Sequence, residues 1–273
     1  MTGNDSYSTD ITKAIETAKE LINVIPEESR KELLNPIAKS AGRGSSSILN
    51  IITYPFNSLN LTLENRLTEK AAILEKKTEE KIKIIEEKGS YTDVNAGMAI
   101  KAIENSRYSL DSEILREYFS ELIANSFDAD KSDQLSPIFA TILSNMSEND
   151  ALFLRKLKNS NDPDSIAITT LVYVDEQGNN YKFKKDLLLW DINHIEESGP
   201  TLNVLESFGL ITITRDRWWT SGNYPEIYNS VENNIWFISA KEQLNTRFKS
   251  VTHKDGYIEV SPLGKSFIDM VVV

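Results

Sequence analysis

Between Ser109 and Leu157 the apolar residues fall at helical spacing three times in succession. Leu115, Tyr118, Phe119, Leu122, Ile123 and Ser126 make one stripe, with Glu113, Arg116, Glu117 and Glu121 off it. The acidic stretch Asp128–Asp133 interrupts that pattern. Ser136-Pro137 predicts a restart, serine as N-cap and proline at the first helical position. Ile138, Phe139, Ile142, Leu143 and Met146 form the second stripe. Ser147 followed by Asp150 predicts a short capping box for a third helix, whose inner face is Ala151, Leu154 and Leu157.

The same reading extends upstream. Ile11, Ala14, Ile15, Ala18, Ile22 and Ile25 predict one helix, and Leu33, Leu34 and Ile37 a second over 28–40. A Gly-Ser turn at 42–47 leads into 44–63, which holds no charged residue. Two readings fit that run: buried helices kinked at Pro55, or a segment that touches a membrane through Ile48, Ile51, Ile52, Tyr54 and Phe56. A long helix is expected over 61–88, ended by Gly89. Its apolar positions Leu67, Ala71, Leu74, Thr78, Ile82 and Ile85 keep an eleven-residue repeat under a dense Glu/Lys surface. Within that narrow seam, Leu67, Leu74, Ile82 and Ile85 are candidates for self-association. Another helix is expected over 93–107, which makes 1–159 an all-α domain.

The pattern changes after Asn159. Asn-Ser-Asn-Asp-Pro-Asp at 159–164 is a linker by its turn residues. Ile166–Val174 is β-branched and reads as a strand, with a shorter one at Tyr181–Phe183. Leu187, Leu188, Ile192 and Ile195 predict a helix face. Thr201 starts a short helix through Phe208, and Gly209 sits where a C′ glycine belongs. Leu210–Thr214 and Tyr257–Val260 are strands, and Ser261-Pro262 opens a last helix. Helix, strand, return strand and helix predict a winged-helix-like α+β module over 160–273, its wing enlarged by an insert at 215–255. The fold class expected is therefore mainly α, with that module at the C-terminal side.

Composition narrows the chemistry. The 273-residue chain is 40% hydrophobic and carries a formal charge of −11. The acid excess is spread through both halves, which disfavours nucleic acid as a partner. There is no cysteine and there are two histidines, His194 and His253. Thiolate chemistry is excluded, and no cofactor or metal site is expected. No P-loop, HExxH or GxSxG occurs: Gly42-Arg43-Gly44 lacks both the Lys-Ser/Thr and the strand that a P-loop needs. His194 and His253 have no identifiable nucleophile, and His253 reads as a loop residue. The first residues lack a basic n-region and an apolar h-region, so a cytoplasmic address is expected. The insert holds Trp218, Trp219, Tyr224, Tyr228, Trp236, Phe237 and Phe248. Trp218 and Trp219, with Arg215 and Arg217, form the candidate contact site, because aromatic–arginine clusters favour interfaces.

Several segments resemble the abortive-infection alpha family. They are Leu110-Asp111, Glu113-Ile114, Tyr118-Phe119, 121–126 (ELIANS), 136–139 (SPIF), Ile142-Leu143, Met146-Ser147 and Asp150-Ala151. Upstream the likeness takes in 35–38 (NPIA) and Gly42, and downstream 205–211 (LESFGLI) and 261–267 (SPLGKSF). It covers most of the chain except about forty residues after Thr214. The resemblance implies a bacterial phage-defence protein and carries no catalytic residues. The expected mode of action is non-enzymatic, through a protein partner; a second copy of the chain and a membrane surface are further candidates. The alternative is a winged-helix transcriptional regulator. Its recognition helix, 201–208 (TLNVLESF), offers bases only Asn203 and has no cation for phosphates.

Overall fold

The capping box forms as the spacing predicts. Ser147 Oγ accepts from the Asp150 amide, and the Asp150 carboxylate accepts from the Ser147 amide. The computed structural model describes residues 46–273 apart from 62, 64 and 216, with the backbone alone at 46–50 and 65. The helices expected over 11–25 and 28–40, and the turn at 42–45, lie outside the described residues.

The helical part comprises α1 (Ser46–Leu61), α2 (Asn65–Lys88), α3 (Ala96–Ser106), α4 (Glu113–Asn125), α5 (Phe139–Ser144) and α6 (Glu148–Lys158). Gly89, at φ +80°, ends α2 as the sequence suggests. The acidic break after α4 is a 3-10 turn, Ala129–Gln134. The second stripe is shorter than expected: α5 begins at Phe139, two residues beyond Pro137, with Ile138 as its cap. The 46–61 segment is one helix with Pro55 inside it.

α4 is the hub of this half. Tyr118, Phe119, Leu122 and Ile123 are buried, and α2, α3, α5, α6 and the C-terminal helix all pack on it. The burial of α2 bears on the self-association reading. Leu74, Ile82 and Ile85 are buried and Leu67 half-buried, together with Ala71 and Thr78, on the helix that lies along α4. The two helices are cross-linked by Lys77–Glu117, Lys81–Glu117 and Lys81–Glu121 ion pairs at 2.5–2.6 Å. The seam is thus covered within one chain, because a narrow apolar stripe needs only one partner helix.

Next come β1 (Ser165–Asp175), β2 (Asn180–Asp191), β3 (His194–Glu197), α7 (Thr201–Ser207), β4 (Ile211–Thr214), α8 (Tyr224–Ser230), α9 (Ile235–Glu242), β5 (Phe248–Val260) and α10 (Pro262–Val271). The strands make one antiparallel sheet in the order β3-β2-β1-β5-β4. The fold is therefore α+β. The helix face expected at Leu187, Leu188, Ile192 and Ile195 is the end of β2, its hairpin turn and β3. Leu187, Leu188 and Leu189 are all buried because the sheet is covered on both faces there, and that removed the alternation by which a strand is read. β5 also begins nine residues before the Tyr257 expected, which brings His253 out of a loop and into a central strand opposite Leu171.

One sheet face meets the helical part through Phe153–Trp190 and through α7 and α10. The other carries Ala167, Leu171, Leu187, Leu189 and Val251 under Tyr228, Val231, Phe237 and Ala240. The expected wing is thus a helical layer, α8 and α9 joined by a 3-10 turn, laid on the sheet. Residues Pro55–Val273 form one compact unit, and the change of composition at 159 falls inside it, where helices give way to the sheet.

Candidate partner-binding site

The stretch from Thr214 to Asn229 is set in place by a glycine and a buried ion pair. Gly256 lies directly under the chain: a Cβ there would come within 2.2 Å of the Thr214 carbonyl oxygen and 2.9 Å of Arg215 Cα. Only glycine allows this approach. Arg215 then reaches Asp186, donating from Nε to Oδ1 and from Nη2 to Oδ2, both at 3.0 Å. Asp186 sits beside a register shift in β2 at φ +51°, the one non-glycine residue of positive φ among those described. Burial alone would raise its pKa. The Arg215 hydrogen bonds and charge, with help from Lys185, outweigh burial and hold it below the ordinary carboxylate range.

Beyond this anchor the two tryptophans part company. Trp219 is half-buried, its ring 4.6 Å from that of Tyr257 and 6.1 Å from that of Tyr224. Its indole nitrogen is buried without a hydrogen-bond partner among the described residues. Trp218 is 56% exposed, and Arg217 beside it is exposed as well. A cavity of about 240 Å³ lies here, with Trp218, Trp219, Pro225 and Tyr228 as walls and Asp255 and Asn229 as polar groups. Tyr228 donates to the Gly256 carbonyl at 2.8 Å, and burial pushes its phenol pKa up. Of the four residues expected to form one contact surface, two therefore face outward (Arg217, Trp218) and two hold the loop to the sheet (Arg215, Trp219).

Behind the cavity, Asp255 Oδ1 receives Thr169 Oγ1 at 2.8 Å and meets His253 Nδ1 at 2.7 Å. The hydrogen bond to Asp255 raises the His253 pKa, against the opposing effect of burial. Threonine and histidine both bind the same carboxylate oxygen, so the hydroxyl is not presented to the imidazole as a nucleophile would be. His194 is half-exposed between Glu196 and Lys156.

The segment read as membrane-touching is divided too. Ile52 and Phe56 are buried, Ile51 half-buried and Tyr54 79% exposed; the side chain of Ile48 lies outside the described residues. Ile52 and Phe56 are thus core residues. No described helix is long and apolar enough to cross a membrane. Sequence reasoning missed Asp186, Asp255 and Gly256. Of these only Gly256 left a signal, a lone glycine in a strand, which marks a close backbone approach.

Compared with known proteins, residues 64–271 match the model of the family described as abortive infection alpha. The chain belongs to that family. No curated protein and no solved structure matches it. The family match includes the 215–247 stretch, where the residue likeness described above is weakest, so the helical layer over the sheet lies within the abortive infection alpha region.

Proposed function

We propose that this abortive infection alpha protein acts in bacterial phage defence by binding a protein partner, without turning over a substrate, and that Trp218 is the anchor of the contact. The observation that carries this is the division of labour around the loop. Arg215, Gly256 and Trp219 fix its course, and the residue left outward at its apex is a large indole beside Arg217. An exposed Trp–Arg pair over a small cavity on a rigid support is the usual make-up of an interface hot spot. Efficiency of plating tests it: Trp218→Ala is expected to abolish protection of cells against phage while the urea midpoint of the purified protein stays unchanged. Full protection by that variant would overturn the reading.

A second reading is the winged-helix regulator, since α7, β4 and β5 keep that order. The outward positions of α7 disfavour it: Asn203 and Ser207 are exposed and Glu206 half-exposed, and the helix has no cation. Phosphate contacts dominate duplex affinity, so such a helix would bind weakly at physiological salt. A peripheral membrane role and a cytoplasmic location complete the proposal; Tyr54 and Leu61, both exposed on α1, are the residues left for lipid contact.

A further inference from the structure

A cavity of about 450 Å³ lies on the other side of α8 from Trp218, at the start of β1 and the end of β2. Its floor is aliphatic, with Ala167, Leu189 and Ile227, and the rings of Trp190 and Tyr224 line it as well. Three carboxylates line it and no lysine or arginine does: Asp162, Asp191 and Glu226. Among the described residues none of the three is in an ion pair.

Asp162 is exposed, but hydrogen bonds hold its carboxylate in one orientation. It accepts from the amides of Asp164 and Ser165 at 3.1 and 3.2 Å, and from the hydroxyls of Ser165 and Tyr224 at 2.8 Å each. Burial would raise its pKa, but these four neutral donors outweigh it and keep the group ionised. They fix the carboxylate without cancelling its charge. Two cations beside it among the described residues are already matched: Lys156 lies 4.2 Å from the Trp190 ring centre and pairs with Glu196 at 2.8 Å, and Lys265 pairs with Asp164 at 2.7 Å. The cavity therefore combines ligand-pocket size, apolar and aromatic walls, and an oriented, uncompensated negative charge.

We propose that this cavity receives an alkyl guanidinium or ammonium group, its aliphatic stem against the floor and its charged head among Asp162, Asp191 and Glu226. A planar guanidinium suits both the paired oxygens of a carboxylate and the face of an aromatic ring. The inference does not rest on the Trp218 reading, because Trp218 takes no part in this cavity.

Calorimetric titration of the full chain tests it with three probes: agmatine, a blocked Gly-Arg-Gly peptide, and the same peptide with citrulline for arginine. Citrulline keeps the shape and removes the charge. The expected result is that a cationic probe binds, the citrulline peptide does not, and rising salt weakens binding. Agmatine alone binding would place the natural source in a free amine, and binding of the arginine peptide would place it in a partner's side chain. Asp191 and Glu226 are exposed, so the Asp191→Asn/Glu226→Gln double variant should fold, as its urea midpoint will show. Its affinity for the cation should fall by about tenfold or more, and Trp218→Ala should leave the titration unchanged. No heat from either cation, equal binding of citrulline, or an unchanged affinity in the double variant would overturn the proposal.

Discussion

Replacing Arg215 by Met should destabilise the protein strongly, and the cost should depend on Asp186. Methionine keeps much of the stem volume and removes the guanidinium, leaving the Asp186 carboxylate with 8% of its side-chain surface exposed and its bidentate partner gone. Breaking a buried pair from one side generally costs about 3–5 kcal/mol. Two features lower that here: Arg215 keeps 32% of its side-chain surface, and Lys185 stands 3.4 Å from the same carboxylate. The expected loss is about 2–3 kcal/mol, measured by urea unfolding followed by circular dichroism at pH 7. Asp186→Asn removes the charge and still tolerates φ +51°. Combined with Arg215→Met it should recover about half of the loss or more, because the uncompensated charge is the main penalty. The pair also sets an acid limb. Asp186 has a depressed folded pKa, so its contribution is present above the unfolded value of 3.8 and is lost as pH falls through the folded value. A loss below about 0.5 kcal/mol in Arg215→Met, or an equal loss with Asn at 186, would refute the reasoning.

Other outcomes follow from the packing. Gly256→Ala must push apart two backbones at a 2.2 Å contact and should cost about 2–3 kcal/mol, seen as a lower urea midpoint. Leu74→Ala should cost about 2–5 kcal/mol by the same measurement, with no change in sedimentation, because Leu74 is buried on the helix that packs against α4. His253 has a raised folded pKa, so its contribution is complete below its unfolded value of 6.5 and disappears as pH rises through the folded value. Wild-type stability should therefore decline on the alkaline side of 6.5, and His253→Asn should flatten that decline in a pH series of unfolding curves.

What could be read from the sequence was the part governed by neighbours a few residues apart. The cap at Ser147, the glycine stops at 89 and 209, and the Ser261-Pro262 start each depend on local geometry, and each appears as expected. β5 escaped because polar Thr252, His253, Lys254 and Asp255 look like a loop until β1, more than eighty residues earlier, supplies their hydrogen bonds. The end of β2 escaped because burial on both faces made it look like a helix stripe. The Arg215–Asp186 clamp spans 29 residues and the Asp162–Tyr224 bond 62, and nothing in spacing connects either pair. Trp218 and Trp219 were legible as a pair, but their opposite fates follow from the chain crossing Gly256.

The position of α10 also says something about how this molecule must be made. Phe267 meets Phe139 edge to face at 5.3 Å, and Asn125 donates 2.9 Å to the carbonyl of Met270, 145 residues later. A nascent chain that has emerged as far as Lys158 holds α2 to α6 complete, yet the side of α4 and α5 that Phe267 and Met270 will cover is still bare. A ribosome adding 5–20 residues per second needs about 5–20 s to reach Pro262 from there. Throughout that interval the apolar surface of the hub helix is open to chaperones and to other unfinished copies, and the last segment synthesised is the one that closes it.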